Sequence, residues 1–164
     1  MVLPLYIKKP NITSKKKKTH EDLLEIARLE FHRALNVNDS GRLIMPADNL
    51  LAAIRDGAKR DKRGKEVQCG VFVFEDADLI VDGQIKESAD LWEVEKYRYM
   101  RVVRMQSAKV LKCRPIFHKW SAKFKIEFDA EVMNKEDLMR FLEIAGKYCA
   151  IGDYRPRFGR FDVN

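Results

Sequence analysis

Leu43-Ile44-Met45-Pro46-Ala47-Asp48-Asn49-Leu50-Leu51-Ala52-Ala53-Ile54-Arg55 joins a short extended piece to a helix. Pro46 pushes Met45 out of the helical region and itself suits the first turn of a helix. From about Ala47 to Arg60 the apolar residues Leu50, Leu51, Ile54 and Ala58 recur at helical spacing, so one face is buried. The segment Asp61 to Lys65 (DKRGK) supplies a glycine stop. A strand feeding an amphipathic helix is half of a two-layer α+β unit.

Other elements extend the pattern on both sides. Val2 to Ile7 reads as a strand. Thr19 to Asn36 reads as a helix, with Thr19 and Asp22 in capping-box positions and Leu23, Ile26, Ala27, Phe31 and Ala34 on one face. Val67 to Phe74 is β-branched and aromatic, the composition of a strand, and Leu79 to Val81 follows an acidic turn. Gly83 to Tyr97 is irregular. Arg101 to Met105 and Ala108 to Cys113 are extended. Trp120, Ala122, Phe124, Ile126 and Phe128 alternate with Ser121, Lys123, Lys125 and Glu127, the signature of a half-buried strand. Asn134 caps a helix over Lys135 to Lys147, and Phe158 to Val163 closes the chain as a strand.

With residues 81–105 taken as an insertion, the skeleton is β-α-β-β-α-β. That is the ferredoxin-like plan of RNA-recognition domains, with helices covering one face of an antiparallel sheet. A length of 164 residues, without internal repeat or linker, fits one domain spanning 1–164.

The formal net charge is +7, and its placement says more than its size. Residues 1–20 hold six Lys and no acid. Residues 98–125 hold nine basic groups and no acid. The remainder is net acidic. A uniformly basic protein is excluded, and a polarised one is expected. Acid-free Lys and Arg displace counterions from a polyanion. Lys109, Lys112, Arg114, His118, Lys119 and Lys123 form the candidate phosphate track, with Tyr97, Tyr99, Phe117 and Trp120 among them. The run Lys15 to Lys18 is a solvated arm that adds electrostatic affinity. At the C-terminal end, Gly152, Tyr154, Arg155, Arg157, Gly159 and Arg160 combine backbone approach, a stacking plane and guanidinium forks.

Several classes are unsupported. No GxSxG, Walker, HExxH or DFG-like run occurs. His118 beside Lys119 is the one acid–base candidate for RNA cleavage. Asp76, Asp78 and Asp82 read as a polar turn rather than a magnesium site. Cys69, Cys113 and Cys149 form no CxxC pair and share no ligand spacing with a histidine, so reduced thiols, no metal and no cofactor are expected. No stretch of 18 or more apolar residues is present, and Met1 to Leu5 is too short for a secretory signal; a cytoplasmic protein that does not engage membranes is expected.

Two segments together resemble the RAMP superfamily, the ferredoxin-like RNA-binding proteins of CRISPR effector complexes. Leu43 to Arg55 is similar to that family's strand-to-helix "IPGSSLKGALR" segment, with Ala47 and Ala52 where glycines are usual. Ile151 to Val163, with Gly152, Arg155, Arg157, Phe158, Gly159 and Arg160, is similar to its C-terminal glycine-rich motif. The chain also resembles short uncharacterised phage and prophage proteins ending in a "GDWRPRFGRF"-like motif. The resemblance implies non-catalytic binding of single-stranded RNA, head-to-tail homo-oligomers or filaments, and a thumb-like excursion at the insertion. A phage assembly protein that self-associates through complementary charge, and a metal-independent RNA endonuclease, are the alternatives.

Overall fold

A computed structural model of the chain describes residues 17–89, 91–105 and 108–164. The fold is α+β. Among the described residues it contains four α-helices and small antiparallel sheets. They divide into two compact units, each made of two chain stretches.

The first unit takes the chain up to Ile44 together with Asp78–Ala122. Helix α1 (His20–Arg33) starts where Thr19 accepts the Asp22 N–H at 3.2 Å and Asp22 accepts the Thr19 N–H at 3.0 Å, the expected capping box. Each interaction satisfies a donor that the helix itself leaves unpaired. Ala27 and Phe31 of α1 are fully buried, and Phe31 meets Trp92 edge-on at 5.5 Å. Strand β1 (Ile44–Met45) neighbours β3 (Ala77–Val81), which also pairs with β4 (Gln84–Ile85) and with β7 (Trp120–Ala122). Leu79 and Val81 are buried while Asp78 is exposed, the alternation of a sheet with one solvated face. The rest of the unit is a hairpin of β5 (Arg98–Met105) and β6 (Ala108–Pro115), against which α1 packs.

The second unit takes Met45–Ala77 and Lys123–Asn164. Its helices are α2 (Ala47–Ala58), α3 (Gly64–Gly70) and α4 (Lys135–Ile144); β2 (Val71–Phe72) pairs with β8 (Glu127–Phe128). Pro46 offers α2 no side-chain cap, and Asp76 instead accepts the Ala47 N–H at 2.9 Å. Leu50, Ala53, Ile54 and Ala58 of α2 and Leu138, Phe141 and Leu142 of α4 are buried, and the two helices pack together. Gly57 permits the close crossing: a Cβ there would lie 2.4 Å from the Phe141 carbonyl oxygen. Arg63 joins Glu66 at 2.6 Å and also binds the Asp137 carboxylate in the first turn of α4.

Several sequence expectations need correction. Val67 to Phe74 is not one strand: Val67 and Gly70 are buried one helical turn apart in α3, and the extended run begins only at Val71. Helix α2 ends at Ala58, passes through a 3-10 turn at Lys59–Asp61, and is stopped by Lys62 at φ 64°, while Gly64 opens α3. The alternation from Trp120 to Phe128 holds in burial, but the ladder breaks. β7 is bound to β3, β8 is bound to β2, and the chain passes between units at Ala122–Lys123. Residues 158–163 make no strand; their backbone is fastened singly to Ile151 and Gly146. Helix α4 gives way after Ile144 to a π-turn, Ala145–Cys149. The element order does not reproduce a clear β-α-β-β-α-β succession. The strand expected at Val2 to Ile7 and the residues Lys15 and Lys16 lie outside the described residues.

Candidate nucleic-acid interface

The β5–β6 hairpin arises because two β-rich runs flank residues 106–107, and its register pairs Arg98 with Pro115 through Met105 with Ala108. Opposite residues in an antiparallel pair share a face. Arg101 therefore stands beside Lys112, and Arg104 beside Lys109. Lys112 is bound by the Glu30 carboxylate, whose other oxygen accepts the Cys113 N–H at 3.1 Å. This expected phosphate contact thus helps dock α1 on β6. Arg101 donates to the Tyr99 hydroxyl at 3.3 Å, and Arg114 donates to the Cys113 carbonyl at 3.3 Å. Arg104 and Lys109 are both exposed, and neither meets a carboxylate among the described residues. Val102, 59% exposed, shares their face.

The glycine-rich loop of the second unit is held by its backbone. Ile151 N–H donates to the Gly159 carbonyl at 2.9 Å, and Phe158 N–H donates to the Tyr154 carbonyl at 3.1 Å. Gly152 and Gly159 have φ of 94° and 79°, a region glycine enters without strain. Tyr154 is half exposed, with its ring 5.7 Å from that of Phe158. The Arg157 guanidinium lies 5.6 Å over Phe158, and Arg160 donates to the Pro156 carbonyl at 3.3 Å. Arg155 reaches Asp56 of α2 at 3.3 Å.

That last contact leads to cations that sequence reasoning missed. Arg55 to Lys65 carries six basic residues and two acids, within a longer stretch whose net charge is negative. Asp56 is shared between Lys59, at 2.7 Å, and Arg155. Burial pushes the Asp56 carboxyl up, but the Lys59 hydrogen bond and the charges of Lys59, Arg155 and Arg55 outweigh it, and the net shift is downward. Arg60 lies 4.2 Å over the ring of Tyr148, which is itself half exposed, with Lys147 at 5.4 Å. A window of about a dozen residues, rather than bulk counting, would have found this run.

His118 and Lys119 are exposed in the first unit, and the Lys119 carbonyl accepts the Asp82 N–H at 3.0 Å. Lys109, Lys112, Arg114, His118 and Lys119 belong to the first unit, and Lys123 and the C-terminal loop to the second. Asp76 caps α2, Asp78 faces Arg42 at 3.6 Å, and Asp82 takes Lys96 at 2.6 Å and the Tyr97 hydroxyl at 2.8 Å. Cys113 and Cys149 are free thiols, and burial, aided by Glu30 and Asp56 respectively, raises both. A raised thiol is a poor nucleophile at neutral pH.

No helix among the described residues is long and apolar enough to cross a membrane. No family model, curated protein or solved structure matches the chain.

Proposed function

We propose that the chain is a non-catalytic nucleic-acid-binding protein of RAMP-like, ferredoxin-derived character that prefers single-stranded RNA and acts in the cytoplasm. The observation that carries this reading is the β5–β6 hairpin. It sets Arg104 directly beside Lys109, with no carboxylate between them among the described residues, on a segment without acids. Like charges opposed across strands are unfavourable in the free protein. A phosphate between them turns repulsion into two attractions. Val102 beside the pair offers an apolar surface to a base. In the second unit, Tyr148 and Tyr154 supply half-exposed rings among Arg60, Lys147, Arg155 and Arg157. Rings and cations interleaved in this way suit splayed bases on a tracked backbone.

The test is a filter-binding salt titration with single-stranded RNA, single-stranded DNA and duplex. Log K falls with log salt by about 0.7 per phosphate neutralised on a single strand. Absence of binding at low salt, or a flat line, sinks the proposal.

One observation favours self-association as a second reading. Phe72 and Phe74 stack in parallel at 5.9 Å, and Phe74 is 73% exposed. Light scattering on nucleic-acid-free protein separates the readings. Oligomers that persist without RNA and dissolve on Phe74→Ser favour assembly.

A further inference from the structure

Four basic residues come together where α2 gives way to α3. Arg55, Lys59, Lys62 and Lys65, with the Gln68 amide and Gly64, line a hollow of about 240 Å³. Its lining contains no carboxylate and no aromatic ring. The local sequence explains the convergence. Helix α2 delivers Arg55, the 3-10 turn delivers Lys59, the left-handed residue Lys62 reverses the chain, and α3 returns Lys65 and Gln68. Gly64 fits because it lacks a side chain: a Cβ there would lie 2.9 Å from the Lys59 Cγ.

The charges in the hollow are poorly balanced. Asp56 compensates Lys59 at 2.7 Å. Arg63, from the same run, is bound to Glu66 and Asp137 instead. Lys62 and Lys65 are exposed and meet no carboxylate among the described residues. The Arg55 Nε is buried, and no atom of the described residues accepts its hydrogen. A buried donor without an acceptor is unfavourable, and so are neighbouring like charges in a concave site that focuses the field.

We infer that this hollow binds a multiply charged phosphate group. Lysines act as point charges, Arg55 adds a directional donor, and Gln68 adds a neutral one. With no ring to stack a base, the lining selects the phosphate rather than the nucleobase. The volume is roughly that of eight water molecules, enough for a compact oligophosphate. Such a group occurs at the end of a nucleic acid or on a free nucleotide. The inference goes beyond strand binding by the hairpin, and its test is separable from that reading.

The probe is inorganic tripolyphosphate, titrated calorimetrically at constant ionic strength. Wild type is expected to bind it saturably. Lys62→Gly combined with Lys65→Ala should weaken binding at least tenfold; glycine keeps the left-handed backbone at that position comfortable. Lys62→Arg with Lys65→Arg should retain it, and Lys86→Ala, a lysine of the first unit outside the hollow and the hairpin, should leave it unchanged. No saturable binding by wild type, or equal binding by the Lys62→Gly, Lys65→Ala double variant, overturns the inference. RNA oligomers with a 5′-triphosphate or a 5′-hydroxyl distinguish the sources. A tenfold preference for the triphosphate, lost in that double variant, assigns the hollow to strand ends. Equal binding of both oligomers, with tripolyphosphate still saturating, assigns it to free nucleotides. Tripolyphosphate binding without binding of the 5′-hydroxyl RNA supports the hollow and removes the strand reading.

Discussion

Gly159 lies against the carbonyl of Ile151 so closely that a Cβ on Gly159 would sit 1.7 Å from that oxygen. The same two residues share a 2.9 Å backbone hydrogen bond, so main chain closes the loop at its neck. Gly159→Ala would add a left-handed alanine and a clash with backbone that has no rotamer to yield. A loss of at least about 2 kcal/mol is expected from urea unfolding. Gly152→Ala is the matched control. Its φ is also positive, but nothing lies within 4 Å of the added carbon, so only the backbone cost of about 1–2 kcal/mol remains. Equal losses in the two variants would show that the neck is not tight.

Gly57→Ala should reverse the usual sign of its kind. Alanine in a helix interior normally stabilises by about 0.5–1 kcal/mol over glycine. Here the new carbon would meet the Phe141 carbonyl at 2.4 Å and the Ala145 amide nitrogen at 3.1 Å. Overpacking of this kind costs about 1–3 kcal/mol, so thermal unfolding should come earlier, and an unchanged or raised Tm contradicts the α2–α4 crossing.

Arg104→Glu separates stability from binding. It replaces a like-charge pair with Lys109 by an opposite one, which should stabilise the hairpin by about 0.2–1 kcal/mol. The same change should weaken RNA binding and flatten its salt dependence by about 0.7 or more. Melting and filter binding on one preparation measure both. A variant that is less stable and binds as wild type removes the hairpin from the interface.

Acid should expose the Arg63–Asp137 link. The Arg63 hydrogen bond, with its charge and that of Arg140, holds the Asp137 carboxyl below its usual range against the opposing effect of burial. A carboxyl depressed in the folded state stabilises above its unfolded pKa, and the benefit disappears as pH falls through the folded value. Asp137→Asn should therefore lower the urea midpoint at pH 7. The two midpoints should converge as the pH drops below about 4. A gap that stays constant through strong acid would assign the effect to packing.

Glu30 serves two donors at once, the Lys112 ammonium and the Cys113 N–H. Glu30→Ala leaves a half-buried lysine and a backbone amide without that acceptor, at a cost of about 1–3 kcal/mol. Hydrogen exchange should quicken at the Cys113 amide, and unchanged protection there would count against the contact.

The readable parts of the sequence were those governed by local chemistry. The Thr19 and Asn134 caps, the apolar faces of α1, α2 and α4, and the alternation from Trp120 to Phe128 depend on neighbours a few residues away. So does the extended character of the two runs that pair as β5 and β6. What was not legible depends on contacts distant in sequence. Val67 lies in a helix whose last residue, Gly70, packs against Val132, where a Cβ would come within 2.8 Å. Phe158 to Val163 resembles a strand, yet Gly146 and Ile151 take its hydrogen bonds singly and leave no ladder. The basic hollow was hidden by the acidic residues around it in the sequence. Lys62 at positive φ carried no glycine or asparagine to mark the reversal.

The division of the chain into interleaved stretches sets an order for synthesis. The stretches of the first unit are complete when the ribosome has passed Ala122, whereas the second still lacks everything from Lys123 onward. Until α4 emerges, Leu50, Ile54 and Ala58 have not met the helix they pack against. Roughly 80 residues separate the two helices, a delay of about 4–16 s at ordinary elongation rates. A nascent chain stalled in that interval leaves those apolar residues without their partner helix. Chaperone dependence should therefore concentrate there, and neither unit can be moved to another protein as a single uninterrupted cassette.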